Sequence, residues 1–348
     1  MRVDLFDFAL PAELIAQHPI EPREAARLLV VGERLEDRRI GDLPELLAPG
    51  DLLVLNDSRV LPTRFWGRRG AVSIEVTLVE QLDERRWWSL ARPGRRLRPG
   101  DRVELGRDLV AAVEAKDAEG RVLLAFERAG GELLAAIREQ GAMPLPPYIE
   151  RPPGGDPRDL RDYQPIQARK EGSVAAPTAS LHLTPALLDR LAARGVGRAF
   201  VTLHVGLGTF APVKAADTAA HRMHVERGEI PSETAEAIAG TRARGGRIVA
   251  IGTTVLRALE SRASPSGAIE PGPFATDLFV VPGFRFRIVD RLLTNFHLPR
   301  STLFMLVCAF AGYARMRAAY AHAIAERYRF FSYGDACLLD RHEEPPPG

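Results

Sequence analysis

Histidines and small polar residues gather in a few short segments of this sequence, at spacings that suit proton transfer and the holding of a hydroxyl-rich ligand. Five of the eight histidines fall between positions 182 and 297. His182 closes the run 172–184 (GSVAAPTASLHLT), and His204 lies in 202–212 (TLHVGLGTFAP). His221 and His224 share 221–226 (HRMHVE), and His297 sits in 293–302 (LTNFHLPRST). An imidazole changes charge near neutral pH, so His182, His204, His221 and His224 are candidate acids or bases. Asp57 joins them from Asn56-Asp57-Ser58-Arg59, where Arg59 is a candidate anion clamp and an Asx turn is the plain structural alternative. Asp335 stands two residues after Tyr333 in Phe331-Ser332-Tyr333-Gly334-Asp335, an aromatic and acidic pair suited to a cationic ligand. The catalytic candidates are therefore His182, His204, His221, His224, Asp57 and Asp335. The candidates for holding a substrate are Arg59, Thr178, Thr184, Gly206, Gly208, Thr209, Glu226, Thr253, Thr254, Asn295, His297, Ser301 and Tyr333.

Several common chemistries are absent from these segments. Gly206-x-Gly208 lacks the third glycine and downstream acid of a dinucleotide fingerprint, and no phosphate-loop Lys-Ser/Thr follows a glycine run. His221, His224 and Glu226 have the residue types of a metal set, but two residues separate the histidines where zincins place three. A metal site is not expected there; acid–base or ribose-binding roles are. Thr184 and Ser301 each precede a helix and serve as N-caps whatever else they do. Cys308 lies in an apolar helix and reads as core packing.

The elements that must position these residues alternate in the second half of the chain. Thr184-Pro185 opens a helix that ends at Gly195, by the N-cap, first-turn Pro and terminal Gly signals. Strands are expected at 199–205, 247–251 and 292–296, each running into a polar turn and a helix. The first sixty residues give a short helix at 11–16 and buried strands at 27–31 and 51–56, the strands being continuous apolar runs. From 65 to 127 the pattern changes to close-spaced strands at 72–80, 87–91, 102–105, 109–115 and 122–126, separated by Gly, Pro and Asp turns. That rhythm predicts a small antiparallel barrel. The fold class is α/β: a main domain of mixed sheet with helices, formed by 1–61 and 146–342 and interrupted by an inserted β-barrel at 62–145. Residues 343–348 are expected to be a disordered tail.

The 348 residues include 46% hydrophobic and 26% charged, enough for a sizeable core. Net charge is only +2, so a nucleic-acid surface must come from local asymmetry. Arg92, Arg95, Arg96, Arg98 and Arg102 cluster about Gly-Pro turns near Trp87 and Trp88; a barrel with such loops could follow an RNA backbone, and a solvated loop is the alternative. Two cysteines, no signal-peptide pattern and no apolar run long enough to cross a bilayer predict a cytoplasmic protein with no membrane partner. The sequence leaves the oligomeric state open, with a monomer the default.

Read together, these stretches resemble the S-adenosylmethionine:tRNA ribosyltransferase-isomerase family of queuosine biosynthesis. The resemblance runs in order through 52–59 (LLVLNDSR), 143–148 (MPLPPY), 172–184, 202–212, 221–226, 252–260 (GTTVLRALE), 293–302 and 328–336 (YRFFSYGDA). It departs from the family pattern at Ser58, Gln167, Ser180, Leu183 and Cys337. The resemblance implies transfer of the ribosyl part of S-adenosylmethionine onto 7-aminomethyl-7-deazaguanine at the tRNA wobble position. The ribose is rearranged to an epoxycyclopentane, giving epoxyqueuosine with release of adenine and methionine. It implies S-adenosylmethionine as a consumed cosubstrate, no other cofactor, and the anticodon loop of tRNA as partner.

Overall fold

The computed structural model describes residues 1–206, 213 and 215–347. The first elements in chain order are β1 (Arg27–Val31), β2 (Leu35–Arg39), α1 (Leu43–Leu46), β3 (Leu52–Asn56) and β4 (Ser58–Val60). Next come β5 (Arg64–Arg69), β6 (Val72–Gln81), β7 (Arg86–Arg92), β8 (Arg102–Leu105), β9 (Leu109–Lys116), β10 (Val122–Phe126) and α2 (Gly130–Gln140). The middle of the chain holds α3 (Asp159–Asp162), β11 (Lys170–Ser173), α4 (Pro185–Ala193), β12 (Gly197–His204), β13 (Glu226–Ile230), α5 (Ser232–Ala243), β14 (Ile248–Ile251) and α6 (Thr253–Ser261). The last are β15 (Gly272–Thr276), β16 (Arg291–Asn295), α7 (Thr302–Ala311), α8 (Tyr313–Ala325) and β17 (Ala336–Asp340). They form two compact units. One takes Met1–Ser58, Pro165–Lys170 and Ala176 onward; the other takes Arg59–Gln164 and Glu171–Ala175, where the sequence suggested 62–145.

The first unit is built on a nine-stranded mixed sheet in the order β15-β13-β12-β3-β14-β16-β17-β1-β2. Strands β12, β3, β14 and β16 run parallel, with Val54 opposite Ala199 and Ala250, and Ile251 opposite Leu293. Every residue of β3, β14 and β16 is buried, as central strands covered on both faces require. One face packs Leu53, Leu55, Val249, Ile251 and Leu293 against Leu187, Leu188 and Leu191 of α4. Helix α7 is buried along its whole length, Cys308 included. The tail 343–347 carries no helix or strand, although Glu344 accepts the Ala314 amide at 3.4 Å.

The second unit is a closed barrel, β10-β7-β6-β5-β8-β9. Alternate residues of β6, Ile74, Val76 and Leu78, fill its interior with Phe65, Trp87 and Phe126, and α2 adds Leu133 and Ile137. The mixed sheet and the barrel predicted from strand spacing are both present.

The helix expected over 11–16 does not form. Only a 3₁₀ turn, Ala12–Leu14, is present, because the segment pairs instead with the chain near Phe330. The Phe330 amide donates to the Leu14 carbonyl at 2.7 Å and the Ala16 amide to the Phe330 carbonyl at 3.2 Å. A run of this length has too little helical cooperativity to resist such pairing.

Candidate active site

The directions of the strands bring the polar turns to one edge of the sheet. Strands β3, β12, β14 and β16 all end there, delivering Asn56-Asp57, His204, Gly252-Thr253-Thr254 and Asn295. Strand β13 is antiparallel to β12, with His204 opposite Arg227, so Glu226 enters at the same edge. Strand β17 is antiparallel to β16, with Asn295 opposite Ala336, which brings Tyr333 and Asp335 there as well. Ligands of open α/β sheets gather at the carboxyl ends of parallel strands, where backbone amides and helix starts are available.

Two polar groups organise this edge. In the first, Thr178 Oγ1 donates to Asn295 Oδ1 at 3.0 Å, and Asn295 Nδ2 donates to the Phe331 carbonyl at 3.2 Å. The same Nδ2 lies 3.2 Å from His182 Nε2, a contact that requires this ring nitrogen to be an unprotonated acceptor. Burial, aided by the charges of Arg23 and Arg329, lowers the His182 pKa to about 3 and keeps the ring neutral. Phe331 holds φ +70°, a left-handed conformation that costs a bulky residue energy, and its carbonyl is thereby presented to Asn295.

In the second, Asp57 is buried and accepts Thr202 Oγ1 at 2.7 Å. Its own carbonyl accepts the amides of Arg169 and Lys170 at 2.7 and 3.1 Å. Asn56 bridges to β12, giving Nδ2 to the Leu203 carbonyl and taking the Leu203 amide on Oδ1. His204 is half-buried beside this group; burial lowers its pKa while the Asp57 charge opposes the shift. Its Nδ1 has no partner among the described residues. Asp57 also lines an open depression of ≈ 430 Å³ with Arg169, Lys170, Arg198, Phe200 and Glu233. There the Arg169 guanidinium lies 5.1 Å from the Phe200 ring centroid.

The other candidates are placed differently. Glu226 is buried and paired with Arg257 at 2.5 Å, both side chains under 5% exposed. His221 packs edge-on against Phe279, 5.1 Å between centroids, and burial lowers its pKa; His224 is exposed. Asp335 is buried, and its two carboxylate oxygens accept the amides of Arg27 and Arg329 at 2.9 and 2.8 Å. Burial raises its pKa against those bonds. Tyr333 is buried close by in sequence. His297 is buried, neutral with a pKa lowered to about 3, and sits 3.0 Å from Thr294 Oγ1. Thr184 and Ser301 cap α4 and α7, accepting the Leu187 and Phe304 amides at 3.1 Å each. Thr184 Oγ1 also donates to Glu24. Thr253 and Thr254 open α6 after Gly252, whose φ of +97° needs glycine, and Thr254 Oγ1 is buried without a partner among the described residues. Gly206 is half-buried just past β12. Arg59 is exposed and belongs to the barrel unit. Gly208 and Thr209 lie outside the described residues.

Four site groups escape a reading of single motifs. Arg257 stands in an otherwise apolar stretch of α6, which is a signal in itself, since an arginine there needs a buried partner. Gln167, Arg169 and Lys170 come from a segment with little pattern. Gln167 Nε2 donates to the Asn56 carbonyl at 3.1 Å, and its Oε1 is buried without a partner among the described residues.

The parallel strand ends thus gather the neutral His182 and His297, the buried carboxylate of Asp57 and hydroxyls that have no partner among the described residues. The family model described as "Queuosine biosynthesis protein" matches residues 3–339, and the chain belongs to this family. Similar proteins include the S-adenosylmethionine:tRNA ribosyltransferase-isomerases of Rhodospirillum rubrum and of a Methylobacterium species. The first is 56% identical over 99% of this chain and 100% of its own length; the second is 57% identical over 99% of each. The crystal structure of S-adenosylmethionine tRNA ribosyltransferase from Thermotoga maritima is 40% identical, covers 96% of this chain and 99% of that chain, and has a TM-score of 0.55. Among the described residues, no helix is long and apolar enough to cross a membrane.

Proposed function

We propose that this enzyme moves the ribosyl part of S-adenosylmethionine onto 7-aminomethyl-7-deazaguanine in the anticodon loop of tRNA and isomerises it to give epoxyqueuosine. S-adenosylmethionine is consumed as cosubstrate, adenine and methionine leave, and the reaction asks for no metal or further cofactor. The setting is the cytoplasm. The observation that carries this reading is the convergence of Asp57, His204, His182, Asn295 and Thr254 on one sheet edge, in a chain whose full-length relatives bear that activity in their names.

The reaction needs a base for the ribose carbon next to the sulfonium, a proton for departing adenine, and acceptors for the ribose hydroxyls. His204, beside Asp57 and with Nδ1 uncommitted among the described residues, is the best placed of the histidines to move a proton. His182 is held neutral by burial and fixed by Asn295, which makes it a positioning group. Thr178, Thr253, Thr254 and Gly206, with Gly208 and Thr209, are the candidates for ribose and methionine. Tyr333 and Asp335 are the candidates for the sulfonium end, and Asp335 holds the Arg27 and Arg329 amides. Incubation with S-adenosylmethionine and tRNA bearing the aminomethyl base, followed by nucleoside mass spectrometry, tests the reading. Epoxyqueuosine with stoichiometric adenine and methionine supports it; intact substrate tRNA overturns it. Full turnover in separate Ala variants of His182, His204, His221 and His224 removes the histidine base.

A further inference from the structure

The barrel unit treats its arginines in two ways. Arg64, Arg68, Arg69, Arg86, Arg102, Arg107, Arg121, Arg128 and Arg138 each pair with a carboxylate within 4 Å. Arg92, Arg95, Arg96 and Arg98, like the scattered Arg59 and Arg85, have no such partner among the described residues; all four are exposed, and they alone of these six lie close together in sequence. They fall within seven positions, Arg92 closing β7 and the other three in the β7–β8 connection, and residues 92–100 contain no acid. The carboxylate that follows, Asp101, is already engaged by Arg69 Nε at 2.9 Å and by the Arg98 amide at 2.7 Å. Lys116 adds a fifth cation, its Nζ donating to the Gly94 carbonyl at 2.6 Å.

The loop is also built rigidly. A 3₁₀ turn covers Gly94–Arg96, Leu97 is fully buried in the barrel core, and the Asp101 amide closes onto the Arg98 carbonyl at 3.0 Å. Unpaired like charges on an ordered loop repel one another, and an anion lying across them relieves that repulsion. The outer face of β7 leads into the loop with half-buried Trp88 and exposed Leu90, while Trp87 and Ser89 point into the barrel.

We infer that the β7–β8 loop is an RNA-backbone clamp: Arg92, Arg95, Arg96 and Arg98 take successive phosphates, and Trp88 and Leu90 face the sugars or bases beside them. Guanidinium forks match phosphate oxygens, and four of them strung along a loop suit a repeating polyanion better than one small anion. This rests on the tRNA-directed activity proposed above and names the surface that meets that partner.

The test compares the wild-type chain with a quadruple variant, Arg92→Gln, Arg95→Gln, Arg96→Gln and Arg98→Gln, and with a control carrying Arg68→Gln, Arg102→Gln and Arg107→Gln. Both sets are exposed, so both should fold, and circular dichroism verifies that they do. The readouts are the tRNA KM and the slope of log Kd against log salt for unmodified tRNA. Each lost phosphate contact reduces that slope by roughly 0.7–0.9. The quadruple variant is expected to lose about 3 in slope with at least a ~10-fold rise in KM, while the control changes slope by less than about 1. Equal slopes for the quadruple variant and the wild type overturn the clamp, and so does an equal loss in the control. Retained tRNA binding with lost binding of an acidic protein would assign the loop to that other partner and overturn it too. If wild-type enzyme makes no product, the activity itself falls; if it turns over and the slopes coincide, only the clamp does.

Discussion

Replacing Glu226 by Gln isolates the most consequential electrostatic contact at the sheet edge. The Arg257 guanidinium is 2% exposed and Glu226 4%, with Nη1 to Oε2 at 2.5 Å and Nε donating to the Leu278 carbonyl at 3.0 Å. Glu226→Gln keeps the shape and removes the charge, leaving a buried cation without its counter-ion. Breaking a buried pair in this way costs about 3–5 kcal/mol. At roughly 2–4 °C per kcal/mol for a unit of this size, the melting temperature should fall by roughly 6–20 °C. The paired change, Arg257→Met with Glu226→Leu, removes both charges and their desolvation cost, so it should be less damaging than either single change despite the lost donor to Leu278.

The protein supplies a convenient pair of probes for this experiment. Its three tryptophans, Trp66, Trp87 and Trp88, all belong to the barrel unit, so fluorescence follows that unit, whereas far-ultraviolet circular dichroism follows mainly the helices of the sheet unit. Urea titrations of wild type, Glu226→Leu, Arg257→Met and the double variant, read by dichroism, give the coupling energy, and Glu226→Gln is measured alongside them. A cost below about 1 kcal/mol for Glu226→Gln, or a double variant at the sum of the singles, would refute the reasoning, because it would mean the pair is solvated.

Three further outcomes follow from the same geometry. His182 and His297 are held near pKa 3 against an ordinary 6.5, so the unfolded chain binds more protons and stability present at pH 7 is lost as pH falls below 6.5. Each contributes about 2 kcal/mol of that loss by pH 5; the gap between urea midpoints at pH 7 and pH 5 should narrow in His297→Gln by the His297 share, with the His182 share remaining, and an unchanged gap would count against its buried neutral state. Gly252→Ala forces a side chain into φ +97° at the start of α6, although nothing lies closer than 3.5 Å to the new Cβ. Thermal melts should show a loss of about 1–3 kcal/mol from the backbone alone, and a neutral result would show that the turn relaxes. Ser301→Ala removes the cap of α7 and should cost about 1 kcal/mol in the same assay, with Ser301→Asn recovering part of it if the cap is the cause.

What the sequence made legible was local, and what it hid was pairing between distant segments. Strands β3 and β14 were readable because continuous apolar runs between breakers have few other uses. Strand β13 (ERGEI) and β15 (GPFAT) carry no such run; they are strands because each other's backbone and that of β12 satisfy their amides. The polar turns were visible as a group, yet nothing local says that His182 meets Asn295 across 113 positions, or that Gln167 reaches Asn56 across 111. Those contacts follow from strand direction, which residue type does not encode.

The two edges of the same sheet show which polar residues are structural. At the edge where β3, β14 and β16 begin, Asp51 accepts the Ala48 and Arg247 amides and the Arg247 guanidinium. Asp290 takes the Ile248 amide, and Asp340 pairs with Arg291. These groups tie the chain down, and their hydrogen-bonding capacity is spent on the protein. At the opposite edge, Ser58 Oγ, Ser180 Oγ, Thr254 Oγ1 and His204 Nδ1 are buried with no partner among the described residues. An unsatisfied buried hydroxyl costs about 1–3 kcal/mol, and a fold that closes its bonds so fully at one end has no steric need to leave four open at the other. On the function proposed above, these open groups are where the cosubstrate binds, and saturating S-adenosylmethionine should raise the melting temperature of the sheet unit more than that of variants in which Ser180 and Thr254 are replaced by Ala and Val.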